Sequence, residues 1–393
     1  MYQNFEYYTP TKVVFGKNTE SQAGELVKAQ NCKKVLIHYG GRSAIRSGLL
    51  DRIKVSLEAA GISYVALGGV VPNPHLSLVY EGIELCKKEN VDFILAVGGG
   101  SVIDSAKAIG YGVANEGDVW DFFEGKRDAK ACLPIGVVLT IAAAGSEMSN
   151  GCVITNEKNG KKRAYDTDLC RAKFAIMDPE LTMTLPAYQT FSGIADILMH
   201  TMERYFNQNN NMDMTDMVSE ALMKNVMHYA HVLVEEPQNY EARAEIMWAG
   251  SLSHNGLTGC ATGGGDWASH MMEHELGGMF DVAHGAGLAA IWGSWARYVH
   301  HAAPHRFVKF AVNVLGVELQ ENDEATIEKG IQAMENFYHS IGMPASLTEL
   351  GIQPTDEQIA QMAASCEQAA GGAAGCIIPL KKEDMIKIYT MAR

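Results

Sequence analysis

The sequence predicts an α/β domain built on a parallel sheet with helices on both faces, followed by an all-α domain. Three observations carry this. Short apolar runs and helical patterns alternate through the first half of the chain. Those runs are apolar throughout rather than at every second residue, as expected of strands covered on both faces. After Leu185-Pro186 the strand signals almost vanish and long helical patterns continue to the end. The boundary is placed there, giving an α/β domain over residues 1–185 and a helical domain over 186–393.

Taken in order, residues 34–39 (KVLIHY) form a strand that ends at Gly40-Gly41. Residues 43–60 have helical spacing and close at Gly61, and 62–67 are a second strand. Pro72-Asn73-Pro74 is a turn, because proline biases itself and its predecessor away from helix. Residues 75–89 read as a helix, 91–97 (VDFILAV) as a third strand, and 101–113 as a helix after Gly98-Gly99-Gly100. Strands are expected again at 133–139 and 173–177. Beyond Pro186, helices are expected over 187–207, 214–233, 240–257, 264–276 and 286–300, with more toward the C-terminus.

Composition narrows the function. The chain has 393 residues, 47% of them hydrophobic, and a formal net charge of −14. An acidic chain repels phosphate backbones and anionic membranes, so neither nucleic acid nor membrane is expected as a partner. No apolar run reaches the ~18 residues that a membrane helix needs. The opening MYQNFEYYTPTKVVFG lacks the basic start and apolar core of a secretory signal. Eight scattered cysteines without a CxxC pair read as reduced thiols of a cytoplasmic protein.

Two glycine-rich loops carry the first functional signal. Gly98-Gly99-Gly100-Ser101 sits where a strand passes into a helix. Glycines there let a pyrophosphate approach the backbone, and the helix N-terminus presents unpaired N–H groups and partial positive charge. The sequence leaves an alternative open, since Ser101 and Asp104 also match an S-x-x-D capping box. Gly40-Gly41-Arg42-Ser43 ends the first strand in the same manner. Folds that select NAD often place a carboxylate near such a strand end to hold the ribose hydroxyls. None stands here. Gly40, Gly41 and Ser43 could admit a 2′-phosphate and Arg42 could neutralise it, which favours NADP(H); a glycine-rich turn with a solvated arginine is the open alternative. A third stretch of small residues follows Thr140.

The second signal lies in the helical half. Asp196 and His200 are four residues apart, as are His270 and His274, and His284 follows. That spacing puts each pair on one helix face. A carboxylate with several imidazoles suits Fe(II), Zn(II), Co(II) or Mn(II). His270-Met271-Met272-Glu273-His274 also matches H-x-x-E-H, which would make His270 and His274 zinc ligands and Glu273 a general base. That reading leaves Asp196, His200, His284 and both glycine loops without a role.

These residues together resemble the iron-containing (group III) alcohol dehydrogenases, in particular their NADPH-dependent, butanol-dehydrogenase-like branch. The resemblance spans nearly the whole chain, from Tyr8–Gly16 through Gly98–Lys107 and Gly145-Ser146-Glu147-Met148 to Asp196-x3-His200 and His270-x3-His274-x9-His284-Gly285. It implies an oxidoreductase that interconverts primary alcohols and aldehydes by hydride transfer, using NADP(H) and one divalent metal, Fe2+ or Zn2+. It implies Asp196, His200, His270 and His284 as metal ligands, with His274 beside the ion, facing the substrate and nicotinamide; His274 is then the candidate for relaying the proton, with ribose hydroxyls or water as alternatives. It implies that Gly98, Gly99, Gly100 and Ser101 hold the pyrophosphate and that Asn73, Thr140, Ser149, Lys162 and Leu181 line the nucleotide site. Members that use NAD carry an aspartate about where Gly40 stands. Many relatives have a hydroxyl residue where this chain has Ala144, so one nucleotide hydrogen bond is expected to be missing. A homodimer is expected from the resemblance.

Overall fold

The computed structural model describes residues 3–208 and 212–393. They form two compact units, Thr9–Leu185 and Pro186–Arg393, the latter joined by residues 3–8. The sequence reading carried the α/β domain back to residue 1. Residues 3–8 instead run with the helical unit, where Tyr7 lies against Gly256 and Gln3 against Gly263.

In the first unit the order is β1 (Lys12–Phe15), α1 (Ala23–Lys28), β2 (Lys34–Tyr39), α2 (Ser43–Arg46), α3 (Leu49–Ala59), β3 (Ser63–Leu67), α4 (Leu76–Glu89) and β4 (Phe93–Gly98). Then come α5 (Gly100–Ala114), α6 (Trp120–Phe123), β5 (Ile135–Leu139), β6 (Gly151–Asn156), β7 (Lys161–Asp166) and β8 (Phe174–Met177). Six strands make one sheet in the order β1-β8-β5-β4-β2-β3, parallel throughout. β4, β5 and β8 are buried along their whole length, which is why their sequences are continuously apolar. Val35, Ile37, Leu95 and Val97 pack with Val27, Ile53 and Leu57 of α1 and α3 in one core. Each such fully buried aliphatic side chain contributes about 1.5–3 kcal/mol.

The topology fixes where a ligand can sit. From β2 the chain moves outward to β3, then returns to the other side of β2 for β4 and continues to β5. The sheet therefore reverses direction between β2 and β4, and ligands of open α/β sheets bind beyond the carboxyl ends of the strands at that point. Tyr39 pairs with Val97 in register, so the loops that start at Gly40 and Gly98 leave the sheet side by side.

Three features depart from the sequence reading. β1 is a four-residue edge strand with Lys12 and Phe15 exposed, too short to register as an apolar run. β6 and β7 form a separate antiparallel hairpin, and β7 (KKRAYD) has four charged residues among its six, with Ala164 and Asp166 exposed. The expected helix over 43–60 is split into α2 and α3, because Gly48 adopts a left-handed φ of 70° between them.

The second unit contains α7 (Ala187–Tyr205), α8 (Asp213–Glu235), α9 (Tyr240–His254), α10 (Ala268–Phe280), α11 (His284–Val299), α12 (Pro304–Asn313), α13 (Asp323–Ser340), α14 (Asp356–Ala369) and α15 (Lys382–Ala392). No strand is assigned in it among the described residues, and no helix of the described residues is long and apolar enough to cross a membrane. From Thr190 to Tyr205 every residue of α7 is buried. α8, α9 and α11 all pack against it, so polar side chains on α7 need partners inside the protein. α10 begins at Ala268, four residues later than expected, because Gly263, Gly264 and Gly265 all have left-handed φ values.

Candidate functional site

In the α/β unit the phosphate-loop expectation can be compared with its alternative. α5 begins at Gly100 with Gly99 as its N-cap, and no side chain caps it. The S-x-x-D capping box is not formed. Asp104 is engaged elsewhere: Ser146 Oγ donates to its Oδ1 (2.5 Å) and the Val153 amide to its Oδ2 (3.0 Å). The helix end is thus left with no side-chain acceptor, which suits an anionic ligand. A side chain at Gly98 would place its Cβ 2.4 Å from Val102 Cγ2. Only glycine lets the loop turn that closely over its own helix.

Thr140 lies beside this loop, its amide donating to the Gly98 carbonyl (3.1 Å). Ala144 is next to Gly100, since a Cβ built there would come within 3.4 Å of the Ala144 methyl. Gly41 and Ser43 are exposed and Gly40 is half-buried. The other expected nucleotide residues are more enclosed. Asn73 is buried with a left-handed φ of 53°. Lys162, on β7, is buried and its charge acts on Asp104. Leu181 packs on the core that contains Val35 and Val97. Ser149 is buried and its hydroxyl accepts from Lys107 Nζ (3.4 Å). That ammonium also donates to Ser146 O (2.8 Å), Ser149 O (3.2 Å) and Gly151 O (2.7 Å). Lys107 therefore fixes the segment 146–151 against α5.

In the helical unit, Asp196 and His200 lie on one face of α7, His270 and His274 on α10, and His284 is the first residue of α11. Donor atoms of Asp196, His270 and His284 all lie within 4.8 Å of one another. The Nε2 atoms of His270 and His284 stand 4.0 and 3.7 Å from Asp196 Oδ1. An ion about 2.0–2.2 Å from each donor separates tetrahedral donors by roughly 3.4 Å. His200 stands beside this group, its ring 4.5 Å from that of His270. His274 is grouped with Glu273 and His284, not with Asp196.

The hydrogen bonds fix which nitrogen each ring presents. His270 Nδ1 donates to Glu203 Oε1 (2.9 Å), and His284 Nδ1 donates to Glu273 Oε2. His200 Nδ1 lies 3.0 Å from the Asp196 carbonyl and 2.9 Å from its Oδ1. With Nδ1 holding the proton, Nε2 carries a lone pair. His270 Nε2 is buried and has no hydrogen-bond partner among the described residues. Burial, then the charges of His200 and His284, push its pKa well below the usual range, so it stays neutral. Two imidazole lone pairs thus face one carboxylate oxygen in a buried site. Lone pairs so placed repel one another unless a cation stands between them, and the N/O donor set fits a divalent transition metal.

Sequence reasoning missed the two carboxylates behind the imidazoles. Glu203 follows Asp196 and His200 at i+7 and i+3, on the same helix face, and that spacing was a usable signal. Burial, then Asp266, raises its pKa to about 8 against the pull of neighbouring N–H groups. Glu273 was read only as the base of a rival H-x-x-E-H site. It is wholly buried and bonded to His284, which is the arrangement of a carboxylate orienting a ligand.

Comparison with known proteins extends this picture. The iron-containing alcohol dehydrogenase profile matches residues 10–179, and the C-terminal profile of the same family matches residues 190–393. NADH-dependent butanol dehydrogenase A of Clostridium acetobutylicum is 38% identical over 98% of each chain. NADPH-dependent aldehyde reductase YqhD of Escherichia coli is 33% identical over 89% of each. The crystal structure of NADH-dependent butanol dehydrogenase A from Thermotoga maritima superposes with a TM-score of 0.96 at 39% identity, covering 99% of this chain and 98% of that one.

Proposed function

Since the chain belongs to the iron-containing alcohol dehydrogenase family, and is thereby a metal-dependent alcohol/aldehyde oxidoreductase, we propose that it reduces short aliphatic aldehydes such as butanal, and oxidises the alcohols, with NADP(H). The observation that carries the metal part of this reading is the convergence of the His270 and His284 lone pairs on Asp196. In this reading Asp196, His200, His270 and His284 hold one divalent cation, Fe2+ or Zn2+. When bound, the cation supplies Lewis acidity at the carbonyl oxygen and the nicotinamide supplies the hydride.

The chain's own residues do the rest. Glu203 and Glu273 keep the His270 and His284 rings in the Nδ1–H tautomer, so that Nε2 remains the donor atom. His274 has its imidazole beside His284, 5.7 Å between ring centres. It delivers or removes the proton at the substrate oxygen, a step that a positioned imidazole can carry. The uncapped N-terminus of α5 receives the pyrophosphate on the amides that follow Gly98 and Gly99. Gly40, Gly41 and Ser43 bound the adenosine ribose, and Asn73, Thr140, Ser149, Lys162 and Leu181 complete the nucleotide site. We also place the enzyme in the cytoplasm, where its eight free thiols would stay reduced. We propose a homodimer, for which β1 offers an open sheet edge.

The names of the relatives point in both directions on the cofactor, so the choice rests on this chain's own residues. No carboxylate follows β2 at Gly40, Gly41, Arg42 or Ser43. The test is oxidation of NADPH and of NADH with butanal, in the wild type and in Gly40→Asp. A Cβ at Gly40 meets nothing closer than the Val70 carbonyl at 3.4 Å, so the aspartate is accommodated. The wild type is expected to prefer NADPH. The variant should shift the ratio of kcat/KM toward NADH by about tenfold or more, since a like charge facing the 2′-phosphate costs at least ~1.4 kcal/mol. An unchanged ratio would remove the 2′-phosphate assignment.

A further inference from the structure

We propose that Glu203 is a positioning residue that sets both the main chain and the ring of His270 before any ion arrives. The proposal rests on the reading of Asp196, His200, His270 and His284 as ligands. Glu203 is 2% exposed, on α7, one turn beyond His200. Its two oxygens take three N–H groups, all from the start of α10. Oε2 accepts from the Trp267 amide (2.7 Å). Oε1 accepts from the His270 amide (3.0 Å) and from His270 Nδ1 (2.9 Å).

The position of those donors matters. Trp267 is the N-cap of α10, in a left-handed conformation (φ 64°, ψ 4°), with no side-chain cap of its own. His270 is the third residue of the helix. The N3 amide is the one an N-cap side chain normally satisfies. Glu203 does this from a different helix, through Oε1. The same oxygen that fixes the His270 backbone also fixes the imidazole. One carboxylate thus determines the residue's backbone placement, ring orientation and tautomer, and it ties the helix that carries Asp196 and His200 to the helix that carries His270. Carboxylates behind a ligating histidine raise its donor strength and hold its ring, and losing one typically weakens metal binding 10–100-fold.

A cap that served stability alone would show no preference for the bound ion. The experiment therefore compares the full-length wild type, Glu203→Gln and His270→Ala by Co2+ affinity in chelator competition, by the visible spectrum of the Co2+ form and by the Tm of the metal-free protein. Glu203→Gln is expected to bind Co2+ 10–100-fold more weakly and to shift the cobalt absorption bands. A lowered Tm with wild-type affinity and spectrum would reduce Glu203 to a helix cap and overturn the proposal. Nitrogen NMR of the metal-free wild type does not depend on the variant's folding. His270 must appear as the Nδ1–H tautomer, and an Nε2–H tautomer would overturn the proposal. His270→Ala separates the two readings. Loss of Co2+ there with no loss in Glu203→Gln rejects only the role of Glu203, whereas full retention in His270→Ala rejects the ligand set itself.

Discussion

His270→Ala is expected to remove bound metal and turnover together. His270 is buried and anchored at Nδ1 by Glu203, and its Nε2 meets no hydrogen-bond partner among the described residues. Alanine deletes that donor and leaves the Glu203 carboxylate short of one of its three N–H partners. Lewis-acid help is worth several kcal/mol of barrier, and each ~1.4 kcal/mol is tenfold in rate. The loss in kcat should therefore reach about a thousandfold or more. Elemental analysis of the purified variant and an NADPH-linked aldehyde assay check both halves. Wild-type kcat with metal absent would reject the assignment, and so would a full complement of metal in the variant.

The second large effect is expected at a residue that touches no ligand. A Cβ at Gly285 would stand 1.9 Å from the Ser192 carbonyl oxygen and 2.8 Å from its carbon. Here the backbone of α11 rests directly on the backbone of α7, and no rotamer change can relieve the overlap. Gly285 adjoins His284, and Ser192 lies one helical turn before Asp196. Gly285→Ala must push the helices apart where they bring those two groups together. Overpacking of this kind costs about 1–3 kcal/mol, or more against backbone. At ~2–4 °C per kcal/mol for a domain of this size, Tm should fall by up to ~10 °C. Metal content should fall with it. Calorimetry and metal analysis of the same preparation decide the matter, and a variant with unchanged Tm and full metal would show that the contact is not as drawn.

Much of this was legible in the sequence, and the reasons are physical. Buried parallel strands must be apolar throughout, so residues 34–39 and 91–97 announced themselves, and their glycine-rich ends marked the point where the sheet reverses. The i, i+4 spacing of Asp196 with His200 and of His270 with His274 survives folding because both pairs lie within single helices. The hairpin of β6 and β7 was not legible, because β7 (KKRAYD) is rich in charge and carries no apolar run. Nor was the late start of α10, which depends on a run of left-handed glycines and a left-handed Trp267. Glu203 and Glu273 stayed hidden for a different reason. A glutamate in a helix is most often a solvated residue, and only packing shows that these two are enclosed and bonded to imidazoles.

The most direct test is diffraction from crystals of the metal-loaded protein at the absorption edge of the metal. The expected result is a single anomalous peak about 2.0–2.2 Å from the Nε2 atoms of His200, His270 and His284 and from a carboxylate oxygen of Asp196. A fully active crystal preparation with its metal bound elsewhere, or with those four side chains free of it, would contradict the account.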